Sequence, residues 1–359
     1  MPDFPLIETP QDPALDQLCN QLKEWAPRWK RTEDWPAEAL QACGKAGVYR
    51  WFVAEDQGGL GWTSHQQTQG YLKLAAADLT TTFVITQYMG AIRRIATSKN
   101  QTPADQWLGR LAAGEAYSTV GISHLTTSGR HLKKPVLIAR ENERGYVLNG
   151  MSPWVTGGPH ADVMVIGASL EDGRQILAAV PGSLSGIEAG AGCELVALSA
   201  SCTDRVLFNN VQIDHSMLLG GPIEEVLSTG KGATAGGLQT STLAIGLSRA
   251  AIDFLIDEAS RREDLRAATN ELDREWKELA KTLLLAIGGD ERCDAAEVRG
   301  KANGLAMRST QAALTAAKGA GFVEGHPVGR WCRQAMFFLV WSCPQPVAQA
   351  HLCELAGIQ

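Results

Sequence analysis

The chain has 359 residues, of which 45% are hydrophobic and 20% charged, and a formal net charge of -6. This is ordinary globular usage, far from a disordered composition, and the scattered Lys and Arg give no basic field for a phosphate backbone, so no nucleic-acid partner is expected. Single cores stop growing near roughly 250 to 300 residues, so the length allows two or three packed subdomains.

The first residues, Met1-Pro2-Asp3-Phe4-Pro5, are acidic and Pro-rich and lack the basic and apolar regions of a signal peptide. The longest apolar run, residues 336–341, is too short to span a bilayer. A cytoplasmic protein without membrane insertion is therefore expected. Cys19, Cys43, Cys193, Cys202, Cys293, Cys332, Cys343 and Cys353 contain no C-x-x-C pair and no zinc-like spacing with histidine. Reduced, mostly buried thiols and no metal are the expectation.

From about residue 14 to 114 apolar residues recur at helical spacing. Asp34, Pro36 and Glu38 form a plausible helix start before Ala39-Leu40-Gln41-Ala42, with an end near Gly47. Residues 66–77 and 80–95 read as two further helices, preceded by a Gly58-Gly59-Leu60-Gly61 loop. The middle of the chain switches to short β-type runs: Val136-Leu137-Ile138-Ala139-Arg140, Tyr146-Val147-Leu148-Asn149, Val163-Met164-Val165-Ile166-Gly167, Ile176-Leu177-Ala178-Ala179-Val180 and Arg205-Val206-Leu207-Phe208. An antiparallel barrel or small sandwich is the natural reading. After Gly230 the helical period returns over residues 243–259, 271–287 and 298–318, the last rich in Ala, as suits a closely packed bundle. The predicted fold is α+β: an N-terminal α-helical domain (1–116), a middle antiparallel β-barrel domain (117–222) and a C-terminal helix bundle (223–359).

The C-terminal third carries the most specific local pattern: Gly319-Ala320-Gly321-Phe322, His326-Pro327-Val328-Gly329-Arg330, Arg333-Gln334-Ala335 and Trp341-Ser342-Cys343-Pro344. It resembles the signature of the acyl-CoA dehydrogenase family, in which G-x-G-[YF], P-V-x-[RK] and R-D-A lead to an aromatic-Glu-Gly-Thr tetrapeptide. The middle segment Asn149-Gly150-Met151-Ser152-Pro153-Trp154-Val155-Thr156 is similar to the family's N-G-x-K-x-W-[IV]-[TS]. The resemblance implies that Trp154 packs against a flavin and that the Thr156 hydroxyl approaches its N5. Alternate strand positions would put both side chains on one face; read alone, Trp154 is equally a buried barrel tryptophan.

Counting from Gly114-Glu115, the family's flavin-contacting hydroxyl falls on Ser123; counting back from Asn149-Gly150, the same position falls on His124. Gly246-Leu247-Ser248-Arg249-Ala250-Ala251 resembles a family helix, and Arg262 then matches the arginine that reaches the FAD pyrophosphate of a neighbouring subunit, a task suited to a planar guanidinium. Read alone, Arg262 is a solvated charge beside Arg261, Glu263 and Asp264. Gly319 and Gly321 occupy the family's glycine turn. By this resemblance FAD is the cofactor, acyl-CoA or another acyl molecule the ligand, and a homodimer or homotetramer the assembly.

The catalytic position departs from the pattern. Ser342 stands where most members have the Glu that removes the substrate α-proton, and a hydroxyl without a partner base cannot do so. The alternative position for a base falls near Gly236-Gly237-Leu238-Gln239, which holds no Glu and no Arg. Cys343 is a weak candidate thiolate, and His124, His326 and His351 are candidates for proton transfer, each also readable as an ordinary core or loop residue. Glu324 reads as a solvated loop charge. The expected function is an FAD oxidoreductase acting on the CH-CH group of an acyl ligand through a non-standard base. Its alternatives are a non-catalytic partner in a hetero-oligomer with a catalytic homologue, and an oxygen-using flavin monooxygenase.

Overall fold

Apolar residues at helical spacing bring the first third of the chain into five helices, seen here in a computed structural model that describes residues 4–126, 135–228 and 238–358. Helix α1 (Pro13–Trp25) begins on Asp12, whose carboxylate accepts from the N-H of Ala14. Helix α2 (Ala37–Lys45) lies where the sequence placed it, but no side chain caps it. Asp34 instead accepts from the N-H groups of Lys30 and Arg31 and closes the preceding turn. Helix α3 (Ser64–Ala77) starts on a capping box made by Thr63 and Gln66, two residues ahead of the expected start. Helix α4 (Leu79–Ala96) is capped by buried Asp78, which accepts from the N-H groups of Thr80 and Thr81. Helix α5 (Thr102–Ala112) completes the group.

The chain then enters strand β1 (Ser118–Gly121) and a single turn, α6 (Ser123–Thr126). Strands β2 (Leu137–Asn142), β3 (Gly145–Val155), β4 (Val163–Ser169), β5 (Gln175–Pro181), β6 (Ile187–Ala189), β7 (Asp204–Asp214) and β8 (Leu218–Ile223) follow. They form one sheet in the order β6-β7-β3-β2-β4-β5-β8, with β1 also paired to β4. This corrects the expected antiparallel barrel. Among the described residues the end strands β6 and β8 do not pair, so the sheet stays open, and β1 and β2 both run parallel to β4. Local alternation fixes which side chains are buried and leaves strand neighbours open; three-residue β6 offers too short a ladder for closure.

The last third is helical: α7 (Leu238–Arg261), α8 (Arg266–Ile287), α9 (Ala295–Ala317), α10 (Pro327–Val340) and α11 (Gln345–Leu355). Helix α7 crosses α3 closely because Gly246 has no side chain; a Cβ there would stand 2.6 Å from Ala75 Cβ and 2.9 Å from Leu72 O. The core divides in three. One part joins α1–α5 to the β4 and β5 residues Val163, Val165, Leu177 and Ala179. A second fills the helix bundle and takes in Ala75, Leu79 and Phe83, and a third covers the other face of the sheet with Leu148, Ile166, Ile176 and Val211. Helix α4 thus feeds two cores and stands between bundle and sheet. No described helix is long and apolar enough to cross a membrane.

Candidate functional site

A cavity of about 970 Å³ opens beside α4, with walls from α3, α4, the β1–α6 segment, the end of β3, α7 and α10. The break in β3 places its most conspicuous side chain. The β3–β7 register shifts between Ser152 and Val155, and Trp154 takes a left-handed backbone with φ +56°. For a non-glycine residue this conformation costs on the order of 1–2 kcal/mol, and it turns the indole into the cavity with 57% of the residue exposed. Ser123 supports the bend by donating to the Pro153 carbonyl at 2.8 Å.

Thr156, just beyond β3, is buried and also lines the cavity; its Oγ1 lies 2.9 Å from Thr203 Oγ1, itself 2.8 Å from Ser201 Oγ. Trp154 and Thr156 therefore share the cavity, as expected, but through a bulge rather than regular strand alternation. Ser123 lines it as well. His124 does not: its Nε2 lies 2.9 Å from the Gly167 carbonyl, and burial holds its imidazole below the ordinary histidine range.

Ser342 lies in the opposite wall, in a left-handed conformation with φ +44°. The end of α10 delivers it there. Trp341 stacks on Phe337 at 5.0 Å and meets Phe83 of α4 edge-on at 4.9 Å. Behind it, fully buried Arg299 of α9 donates to Asn303 Oδ1 and to the carbonyls of Phe338 and Trp341, each at 2.9 Å. A cation at the carbonyl end of α10 complements the helix dipole. Sequence reasoning missed Arg299; a lone Arg in an Ala-rich helix gave no sign that it would turn inward.

Cys343 is not a cavity residue. Burial, only partly offset by the Arg299 charge, holds its thiol above the usual range. His326 caps α10, His351 contacts Glu354, and Glu324 is an exposed partner of Lys30. None of these four lines the cavity.

Arg262, Gly319 and Gly321 also lie outside it. They gather instead at the end of α9, where Arg262 donates to the Ala316 carbonyl at 2.7 Å. Gly321 is needed there for space, since a Cβ would stand 2.8 Å from Ala317 Cβ; nothing lies within 4 Å of one at Gly319. Gly236 and Gly237 lie outside the described residues, whereas neighbouring Leu238 and Gln239 line the cavity.

The titratable inventory is unusual. Among the described residues the cavity walls hold no Asp, Glu, His, Lys or Cys, and their only full charges are Arg93, Arg94 and Arg333. The rest is apolar surface, amides and hydroxyls. A second cavity of about 320 Å³ shares residues 195–197 and Arg333 with it. No group of three or more metal-ligating side chains occurs among the described residues.

Residues 9–115 match the family model for the acyl-CoA dehydrogenase N-terminal domain. Mitochondrial isovaleryl-CoA dehydrogenase of Oryza sativa subsp. japonica is 25% identical over 263 residues, covering 67% of this chain and 64% of that protein, so the match spans somewhat less than two thirds of the relative. A glutaryl-coenzyme A dehydrogenase in complex with glutaryl-CoA superimposes with a TM-score of 0.80 at 17% identity, over 97% of this chain and 96% of that one. A glutaryl-CoA dehydrogenase from Mycobacterium smegmatis in complex with FADH2 gives 0.78 at 17% identity, over 97% and 96%. Sequence match and whole-chain fold agree with the resemblance of the Trp154 and Trp341 segments: residues 9–115 match the acyl-CoA dehydrogenase N-terminal domain, and the chain as a whole has the acyl-CoA dehydrogenase-like fold.

Proposed function

We propose that the chain is an FAD-binding oxidoreductase whose cavity takes an acyl thioester or a related acyl ligand. The observation that carries this reading is the convergence of the exposed Trp154 ring, the Ser123, Thr156 and Thr203 hydroxyls and Ser342 on one cavity. A strained backbone that turns a large aromatic ring into a cavity supports a functional reading of that ring. These groups fit a flavin. Trp154 offers a flat face for a ring system, and Ser123 and Thr156 offer hydroxyls for its polar edge. A bound flavin supplies hydride acceptance. Arg262 would then serve the FAD of a neighbouring copy, with Gly319 and Gly321 as further cofactor-binding positions, which makes a homodimer or homotetramer, set in the cytoplasm, part of the proposal.

Among the described residues, those that line the cavity orient and enclose a ligand but supply no ordinary base for an α-proton. Ser342 has no carboxylate or imidazole beside it in the described walls, and residues 127–134 and 229–237 contain no Asp or Glu. CH-CH oxidation here would use a base from outside the described cavity walls. The same lack supports a second reading, a partner subunit that keeps the flavin site while a homologous chain does the chemistry.

Anaerobic titration of the FAD-loaded protein with acyl-CoA thioesters separates the two. Bleaching of the flavin absorbance supports dehydrogenation. A spectral shift without bleaching, for every thioester tried, would remove it and favour the partner role. Substrate-dependent oxygen uptake by the chemically reduced protein would point to the monooxygenase alternative.

A further inference from the structure

Two half-buried arginines of this fold meet carboxylates, Arg249 bridging Asp253 and Asp273 and Arg262 lying between Glu258 and Asp264, whereas Arg50 and Arg330 make no ion pair among the described residues. Arg93 and Arg94, adjacent on α4, make no ion pair among the described residues. Arg93 donates to Gln67 Oε1 at 2.6 Å and lies over the Phe52 ring at 4.8 Å. Arg94 donates to the Gly90 carbonyl at 2.8 Å. Both are half-buried and line the cavity. Burial, and then the Arg93 charge, pull the Arg94 pKa down to about 10, so it stays charged at neutral pH in surroundings that disfavour charge. Two guanidinium groups with no counter-charge on a wall free of carboxylates make a seat for an anion.

The place of that seat in the cavity indicates which anion. Arg93 follows Phe83 by ten residues on α4, a rise of about 15 Å. Phe83 packs on Trp341, next to Ser342, so along α4 the arginines stand well removed from the turn that meets the position of the family's base. Gly90 lies between them and lines the cavity, where a larger side chain would narrow the passage.

We propose that the cavity selects acyl ligands whose far end carries a carboxylate, received by Arg93 and Arg94. This rests on the reading of the cavity as an acyl site and adds the substrate class: half-thioesters of dicarboxylic acids rather than plain fatty acyl thioesters. A carboxylate suits the paired planar donors, whereas a methyl terminus would leave both charges facing apolar carbon.

The test uses the FAD-loaded protein and two matched pairs of ligands, adipyl-CoA against hexanoyl-CoA and suberyl-CoA against octanoyl-CoA, with binding read from the flavin spectrum and by calorimetry. The expected result is a dissociation constant at least about tenfold lower for one or both diacid thioesters, about 1.4 kcal/mol. Arg94→Met should abolish the preference, and Arg94→Lys should retain part of it, with FAD content unchanged. Equal binding of both members of each pair would overturn the proposal and leave the acyl site standing. Binding of neither would overturn the acyl reading and the proposal with it. A preference that survives in both Arg93→Met and Arg94→Met, or loss of FAD from those variants while they remain folded, would remove the arginines from this role. The comparison within each pair needs only the parent protein, so it stands even if a variant does not fold.

Discussion

Replacing Ser342 with Glu would restore a carboxylate at the cavity position where most members of the family carry it. Ser342 already sits at φ +44°, so the left-handed backbone strain, on the order of 1–2 kcal/mol, is present in the parent and changes little. Trp341, held by Arg299 from behind and stacked on Phe337, keeps residue 342 in the wall whatever its side chain. The substitution adds a group able to accept a proton, and a positioned general base contributes roughly 10²–10⁴-fold in rate, or about 2.7–5.4 kcal/mol of barrier at 1.36 kcal/mol per decade. The assay is anaerobic stopped-flow reduction of the FAD-loaded Ser342→Glu protein by acyl-CoA thioesters, including the diacid forms. Flavin reduction at least about 100-fold faster than in the parent is expected. If the variant binds FAD and thioester as the parent does yet bleaches no faster, the ligand's reacting carbon does not lie at the Ser342 wall and the reasoning fails.

Trp154→Ala removes an exposed ring, so urea denaturation should shift by less than about 0.5 kcal/mol while FAD affinity falls by roughly 0.5–1.5 kcal/mol; unchanged affinity would contradict the platform role. Arg299→Met leaves the Trp341 carbonyl without its donor, whereas Phe338 O keeps Asn303, and a loss of about 1–3 kcal/mol in chemical denaturation is expected; a variant as stable as the parent would refute the bracing of α10. Gly246→Ala drives a methyl against Ala75 and the Leu72 carbonyl and should cost roughly 1–3 kcal/mol, measured the same way. His124 has its folded pKa below the unfolded value of 6.5, so its contribution is intact above that pH and is lost as pH falls towards the folded pKa. A His124→Gln protein should therefore lose less stability than the parent on acidification below pH 6.5; parallel curves would contradict this.

Periodicity made most elements legible. Helices α4 and α8 and strands β4 and β5 lie on the expected runs because their burial is set by local spacing. Less legible were features decided at long range. Among the described residues the sheet stays open, and its strand neighbours, including the parallel β1–β4 pair, are not set by local alternation. Trp154 and Thr156 were readable as a pair, but the bulge that exposes the indole arises where β3 meets β7, about fifty residues further on. Arg299 and the Arg93–Arg94 pair carry no motif. Their meaning comes from the burial of the first among carbonyls and from the placing of the second in a cavity without acids.

The central claim is that this cavity holds a flavin on Trp154 and Thr156. Its most direct test is the FAD-to-chain ratio of purified protein after incubation with excess FAD and desalting, for the parent and for a Trp154→Ala, Thr156→Val double variant. Close to one flavin per chain is expected in the parent, and a marked loss in the variant at unchanged secondary structure. A folded parent that retains no flavin, or a double variant that retains as much as the parent, would contradict it.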